Sequence, residues 1–217
     1  HQLTDEDISL LHNFNISKIF DFRSLNEIKE RPDDVNIDVM NYNIHDSNSN
    51  QGMDRAFLEN ISKSGAFEFM MMLYKDYLPF SPILKQLFKD MLQQREPFLF
   101  HCAAGKDRTG IVGALLLYML DFNMDDIISE YTIFDRELLR EIENDLKDKY
   151  QFNDDMLDLL RPLNLIKPEY IKIFFQSIIE KYDSIDTYIY EYLEVDQEDL
   201  NQFKTCFLVS YKEVQDE

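Results

Sequence analysis

The chain has 217 residues, 45% of them hydrophobic, and carries 42 acidic against 22 basic side chains, a formal net charge of −20. That acid excess argues against nucleic-acid binding and repels anionic substrates at long range. The two cysteines, Cys102 and Cys206, make no disulfide framework, and no apolar run is long enough to span a membrane. The length suits one domain with a substantial core, and no repeat or Gly/Pro/Ser-rich linker divides it, so residues 1–217 read as a single domain. No signal peptide is visible, but the chain begins at His1 rather than Met, so the expected location is cytoplasmic, or secreted if a leader has been removed.

In chain order, Thr4 with Asp7 three residues on predicts a helix cap, with a helix to about Phe14. Residues Ile16 to Phe22 and Asn36 to Ile44 read as strands, followed by a polar loop from His45 to Gly52. Met53 to Tyr77 has helical character broken at Gly65, and Pro82 opens a helix from Ile83 to Gln94. The short run Pro97 to Phe100 reads as a buried strand and Ile111 to Tyr118 as a buried helix. Helices then follow from Met124, Asp135, Asn153, Pro168, Ser184 and Asp196. Cys206, in Phe203-Lys204-Thr205-Cys206-Phe207-Leu208, reads as inert core.

The chemistry concentrates between that buried strand and buried helix, in His101-Cys102-Ala103-Ala104-Gly105-Lys106-Asp107-Arg108-Thr109-Gly110. A loop that opens a helix can turn its N–H groups inward, and the helix dipole adds roughly half a positive charge there. Such a cradle suits a phosphate. Arg108 can hold two phosphate oxygens with its planar fork. Gly105 and Gly110 permit close backbone approach and unusual dihedrals. Cys102 sits at the cradle's floor, where a positive field lowers a cysteine from about 8.5 to roughly 3.5–7.5. Its thiolate is then placed for in-line attack on phosphorus. Thr109 can offer its hydroxyl to that sulfur, and His101 points away and orients the loop. Ala103, Ala104, Gly105, Lys106, Thr109 and Gly110 are thus the candidate substrate-binding positions. A structural cysteine beside a turn would account for Cys102 alone, not for Cys, two Gly, Arg and Thr at one junction.

The stretch resembles the His-Cys-x5-Arg-Ser/Thr-Gly signature of cysteine-dependent protein-tyrosine phosphatases. Its Lys-Asp before the arginine resembles a bacterial branch acting on phosphotyrosine and phosphoinositides. Asp21-Phe22-Arg23-Ser24-x-x-Glu27 is similar to a second element of that family, in which Asp21 and Arg23 would brace the sheet near the loop. Lys181-Tyr182-Asp183-Ser184-Ile185-x-x-Tyr188 is similar to its closing helix start. The resemblance implies an α/β, three-layer fold: a short, mostly parallel sheet flanked by helices, with a helical C-terminal half. It also implies a helical lid near Met53 to Tyr77. An Asn-x-Arg-Asp-x-Gly-Gly-like strand element that usually precedes this region is absent, so the domain is expected to lack an N-terminal strand.

Phosphomonoester cleavage by a thiolate needs an acid for the leaving group and a base for water, and one carboxyl can serve both. The chain has no tryptophan, hence no Trp-Pro-Asp loop. Asp107, fixed beside Arg108, is the first candidate, and Asp46, which matches a loop aspartate implied by the resemblance, the second. Lys106 is expected to make a further positive contact, to the reacting phosphate or to another phosphate on an inositol ring. Four scattered histidines offer no metal-ligand spacing, so neither metal nor cofactor is expected. The expected partners are phosphotyrosine protein, with phosphoserine, phosphothreonine or phosphoinositide as further substrates, and inhibition by phosphate-like oxyanions. Two other classes are weaker readings: a phosphate reader without turnover, because Cys102, Asp107, Arg108 and Thr109 are all present, and a sulfur-transfer or arsenate-reducing enzyme, whose loop cysteine lies near the N-terminus and whose flanks the His-Cys and Lys-Asp-Arg-Thr-Gly residues do not match.

Overall fold

The computed structural model describes residues 3–33, 35–44, 55–133 and 136–208. Three four-residue strands form one parallel sheet in the order β2-β1-β3: β1 Lys18–Asp21, β2 Asp38–Asn41 and β3 Phe98–His101. β1 and β2 are shorter than the runs Ile16 to Phe22 and Asn36 to Ile44 predict, while β3 has the expected length, displaced by one residue from Pro97 to Phe100. Single bonds continue the pairing past the ladder, from Ser17 N to Pro97 O (3.1 Å) and from Phe22 N to His101 O (2.8 Å). The register sets Asp21 opposite His101, so the carboxyl end of β1 lies beside the residue preceding the cysteine.

Helices flank this sheet. Ahead of β3 lie α1 Asp5–Asn13, α2 Leu25–Glu30, α3 Arg55–Ser64, α4 Ala66–Met72 and α5 Ile83–Leu92. After it come α6 Asp107–Met119, α7 Met124–Tyr131, α8 Arg136–Tyr150, α9 Asp154–Asn164, α10 Pro168–Tyr182, α11 Ile185–Thr187 and α12 Gln197–Phe207. The described C-terminal half is therefore helical. The helix starts follow local chemistry: Thr4–Asp7 and Ser24–Glu27 form reciprocal capping boxes, while Asn123, Asn153 and Asp196 cap α7, α9 and α12. Gly65, at φ +97°, divides α3 from α4. The end of α4 widens into a π-type turn, Leu73–Tyr77.

Each fully buried large apolar side chain contributes about 1.5–3 kcal/mol, so the core fixes how strands and helices meet. Phe20 and Phe22 of the β1 segment, Leu87, Phe88 and Met91 of α5, Ile111, Val112 and Leu115 of α6, and Phe174 and Ile178 of α10 are all completely buried in one cluster. A second cluster joins Leu58, Ile61, Ala66, Phe152, Leu157 and Leu160 beneath α3 and α9. Cys206 corrects an expectation: it is exposed. Leu200, Phe203 and Phe207 take the inward stripe of α12, and Cys206, one position before Phe207, is rotated off that stripe. Among the described residues, no helix is long and apolar enough to cross a membrane.

Candidate active site

The chain leaves β3 at His101 and enters α6 at Asp107, so Cys102 to Lys106 form the turn between them. Cys102 is buried at the strand's end. Gly105 has φ +65°, in the left-handed region where a side chain is strained. The N-cap of α6 is Lys106, which makes no side-chain cap, and the first helical bond is Gly110 N to Lys106 O at 2.8 Å. The amides of Asp107, Arg108 and Thr109 thus belong to an uncapped first turn, where an anion is favoured by N–H donors and helix dipole together.

Arg108 is gripped by Glu27. Its Nη1 donates to Oε2 at 2.8 Å and its Nη2 to Oε1 at 2.7 Å, while Nη1 also donates to Phe22 O at 3.2 Å. Three of five guanidinium protons are thereby used. The other two, on Nε and Nη2, share one edge of the plane and have no partner among the described residues; two parallel N–H groups match two oxygens of a phosphate. Burial pushes the Glu27 carboxyl up, but hydrogen bonds and charge from Arg108, with help from Ser24, outweigh it and bring it down to about 2. Burial pulls Arg108 down, but Glu27, Cys102 and Asp107 together raise it. The sequence reading named Glu27 only as the last position of the Asp21-to-Glu27 element and gave its pairing with Arg108 no place. Its signal was the Ser24–Glu27 capping box, which anchors the carboxylate at the start of α2.

Asp21 and Arg23 brace the floor of the loop. Arg23 donates to Asp21 from its backbone N, Nε and Nη2, each at 2.9 Å, and its Nη2 also reaches Asp33 at 2.7 Å. His101 extends this network: Nε2 lies 3.2 Å from Asp33 Oδ2 and Nδ1 3.1 Å from the Cys102 carbonyl. His101 is therefore turned toward the brace and the loop's backbone. Asp21, Asp33 and His101 also bring ligand atoms within 4.8 Å of one another, a set that could hold a metal ion. A cation there would compete with Arg23, which already pairs with both carboxylates.

Asp107 stands in the first turn of α6, where Tyr74 Oη donates to its Oδ1 at 2.7 Å. Lys106 does not stand where the sequence reading put it. It is buried, its ammonium donates to the carbonyls of Leu163 and, at 3.4 Å, Leu165, and it lies 3.2 Å from Asp107 Oδ1. The last carbonyls of α9 lack helical partners, so the cation is drawn to that end rather than toward a ligand. Gly110 likewise lies inside α6 against Tyr131: a Cβ there would meet Tyr131 Cε2 at 2.7 Å. Its smallness admits a ring rather than a phosphate. Thr109 Oγ1 is buried without a hydrogen-bond partner among the described residues, which calls for an explanation. Ala103 and Ala104 are exposed on the turn. Asp46 lies outside the described residues.

A cysteine-x5-arginine turn between a parallel strand and a helix, braced from the neighbouring strand, defines a class of α/β proteins rather than one activity. The chain belongs to the tyrosine phosphatase family, whose sequence model matches residues 1–209. It is 30% identical over 142 residues to a Cupriavidus necator protein bearing the name "putative tyrosine-protein phosphatase", covering 59% of this chain and 46% of that one. It is 29% identical over 140 residues to a tyrosine-protein phosphatase of Nostoc commune, covering 61% of this chain and 45% of that one. It is 24% identical over 232 residues to the triple specificity protein phosphatase PtpB of Mycobacterium tuberculosis, covering 87% and 81%. The chain thus spans a little under half the length of the first two relatives.

Proposed function

We propose that this protein is a metal-independent protein-tyrosine phosphatase acting through a phosphocysteine intermediate. The observation that carries the reading is the state of Arg108: held end-on by Glu27, it keeps its Nε/Nη2 edge open in the same helix turn as the uncapped amides and close to Cys102. The cradle holds the three non-bridging phosphate oxygens, and the Cys102 thiolate attacks phosphorus from below. As the S–P bond forms, the bond to the tyrosine oxygen breaks, and Asp107 gives that oxygen its proton. Water then attacks phosphorus, Asp107 takes the water's proton, and the S–P bond breaks to return the thiolate and inorganic phosphate. Thr109 Oγ1, buried without a partner among the described residues, supplies a hydrogen bond to the sulfur as it becomes the leaving group. Asp46 is the second candidate for the acid.

Phosphotyrosine is the favoured substrate. With Lys106 turned to the end of α9, the free lysine that would recognise further phosphates on an inositol ring is not presented. Phosphate-like oxyanions should compete for the same cradle.

The test is phosphate release, without added metal, from a phosphotyrosine peptide, a phosphoserine peptide and a phosphoinositide, with Cys102→Ser in parallel. Release from the phosphotyrosine peptide that disappears in the variant is the expected result. Vanadate binding without release from any substrate would overturn it in favour of a phosphate reader. A lipid turned over faster than the peptide would overturn the substrate assignment alone.

A further inference from the structure

Asp107 is reached by a chain of two buried phenols. Tyr131 Oη, on α7, lies 2.8 Å from Tyr74 Oη, and Tyr74, in the π-type turn, lies 2.7 Å from Asp107 Oδ1. Tyr74 is completely buried, stacked on Tyr170 at 5.4 Å and edge-on to Tyr131 at 6.3 Å. Widened turns of this kind recur at functional sites. The Tyr131 ring can lie there because Gly110 has no Cβ to meet it. Three elements are thus shaped around one carboxylate oxygen.

The direction of the chain follows from counting protons. Each phenol has one O–H. An ionised carboxylate can only accept, so Tyr74 sends its proton to Asp107 Oδ1, and the Tyr74 oxygen accepts from Tyr131, which has no other hydroxyl partner among the described residues. Burial, reinforced by the charge of Asp107, raises Tyr74 well above the usual phenol range, which keeps it a neutral donor. The Lys106 ammonium converges on the same Oδ1 at 3.2 Å. Asp107 Oδ2 has no protein partner among the described residues.

We propose that Tyr74, held by Tyr131, is a positioning residue that occupies Asp107 Oδ1 in both protonation states and so makes Oδ2 the oxygen that carries the catalytic proton. This rests on the reading of Asp107 as acid and base. When Asp107 is protonated, Oδ1 is its carbonyl oxygen and accepts from Tyr74, while Oδ2–H faces the leaving oxygen. When it is ionised, Oδ1 keeps its donors and Oδ2 takes the proton from water. Neither rotation of the carboxyl nor a change of partner is needed between the two steps, which is where preorganisation helps.

Among the described residues, the charged and titratable groups facing Asp107 are Lys106 at the end of the loop, Arg108 beside it on α6, Tyr74 and Tyr131 through the chain, and Tyr170 behind them. Tyr74→Phe removes a single donor from the carboxylate, which favours the protonated form. Activity that needs the acid protonated then persists to higher pH.

The experiment measures kcat/KM against pH for phenyl phosphate, a poor leaving group, and p-nitrophenyl phosphate, a good one. Wild type, Tyr74→Phe, Tyr131→Phe, Asp107→Asn and the Tyr74→Phe/Asp107→Asn double variant are compared. For Tyr74→Phe the alkaline limb should move upward by about one pH unit. The loss should be about tenfold for phenyl phosphate and small for p-nitrophenyl phosphate. Tyr131→Phe should move both readouts the same way by less, and it carries the test if Tyr74→Phe does not fold. The double variant should be no worse than Asp107→Asn. If Asp107→Asn keeps the alkaline limb and phenyl phosphate turnover, the acid assignment fails and the positioning role with it. If Asp107→Asn loses both but Tyr74→Phe costs both substrates equally with an unmoved limb, the positioning role alone is overturned.

Discussion

The guanidinium of Arg108 and the carboxylate of Glu27 meet end to end, 81 residues apart in sequence, with both N–H···O bonds at 2.7–2.8 Å. This pairing takes up the Nη1/Nη2 end of the arginine and leaves its Nε/Nη2 edge without a partner among the described residues. Glu27→Gln keeps an acceptor for the Ser24 amide but offers Arg108 one oxygen instead of two. The fork can then pivot, and misplacement of a catalytic group by an ångström costs roughly a hundredfold. We expect kcat/KM on an aryl phosphate to fall by about 10- to 100-fold, and Arg108→Lys to fall further, because a lysine cannot form the fork. Steady-state kinetics on the two variants checks this; a Glu27→Gln enzyme with unchanged kcat/KM would show that the pairing does not orient the arginine.

The same pairing makes acid stability predictable. Glu27 is lowered in the folded protein from 4.5 to about 2. A carboxyl with a depressed folded value contributes stability that is full above its unfolded value and lost as pH falls through the folded one. The contribution of Glu27 is therefore intact above about pH 5 and drains away between there and about pH 2. Urea midpoints across that range should drop more steeply for wild type than for Glu27→Gln, which has no proton to take up. Parallel curves for the two would mean that the ion pair does not couple to folding.

Much of this was legible in the sequence because it is local. Thr4–Asp7, Asn153 and Asp196 announce helix starts through bonds spanning two or three residues, and all three caps are present, whereas the Ser24–Glu27 cap and its short helix α2 went unread. The Cys102–Arg108 turn is likewise a stretch of chain read in one piece. What was not legible depends on residues far apart in sequence. Nothing near Lys106 indicates that the end of α9 would claim its ammonium across 57 residues, nor does anything near Tyr74 indicate Asp107, 33 residues on. Cys206 failed for a different reason. Its neighbours are apolar enough for a core face, but one position around a helix turns a side chain by about 100°, and Phe203 and Phe207 already filled the inward stripe.

The brace under the loop should be expensive to break. Asp21 is 1% and Arg23 6% exposed, and Asp21 accepts three bonds from Arg23. Asp21→Asn leaves the buried guanidinium with Asp33 as its one remaining carboxylate partner. Removing one member of a buried pair costs about 3–5 kcal/mol, and the surviving Asp33 contact should keep the loss near the lower end. Equilibrium denaturation measures it directly. Because Asp21 sits opposite His101 in the sheet register, the variant should also lose turnover. A change of stability under about 0.5 kcal/mol, the size of an ordinary surface substitution, would contradict the buried network.

Of the two glycines of the loop region, only Gly110 should respond to a second substitution at Tyr131. At Gly105 an added Cβ meets nothing within 4 Å, so Gly105→Ala costs only the strain of φ +65°, about 1–2 kcal/mol whatever its neighbours. At Gly110 the backbone is helical and the obstacle is the Tyr131 ring, with Cε2 at 2.7 Å and Cδ2 at 3.0 Å from the added atom. Gly110→Ala should therefore destabilise by about 1–3 kcal/mol through overpacking. In a Tyr131→Leu background that obstacle is gone, and alanine's advantage over glycine in a helix, about 1 kcal/mol, should make the same change neutral or stabilising. Denaturation midpoints for the two double-variant cycles separate the cases. The Gly105 effect should be additive with Tyr131→Leu, and the Gly110 destabilisation should vanish or reverse. An additive result at Gly110 would mean that the glycine is there for its backbone and not for the ring above it.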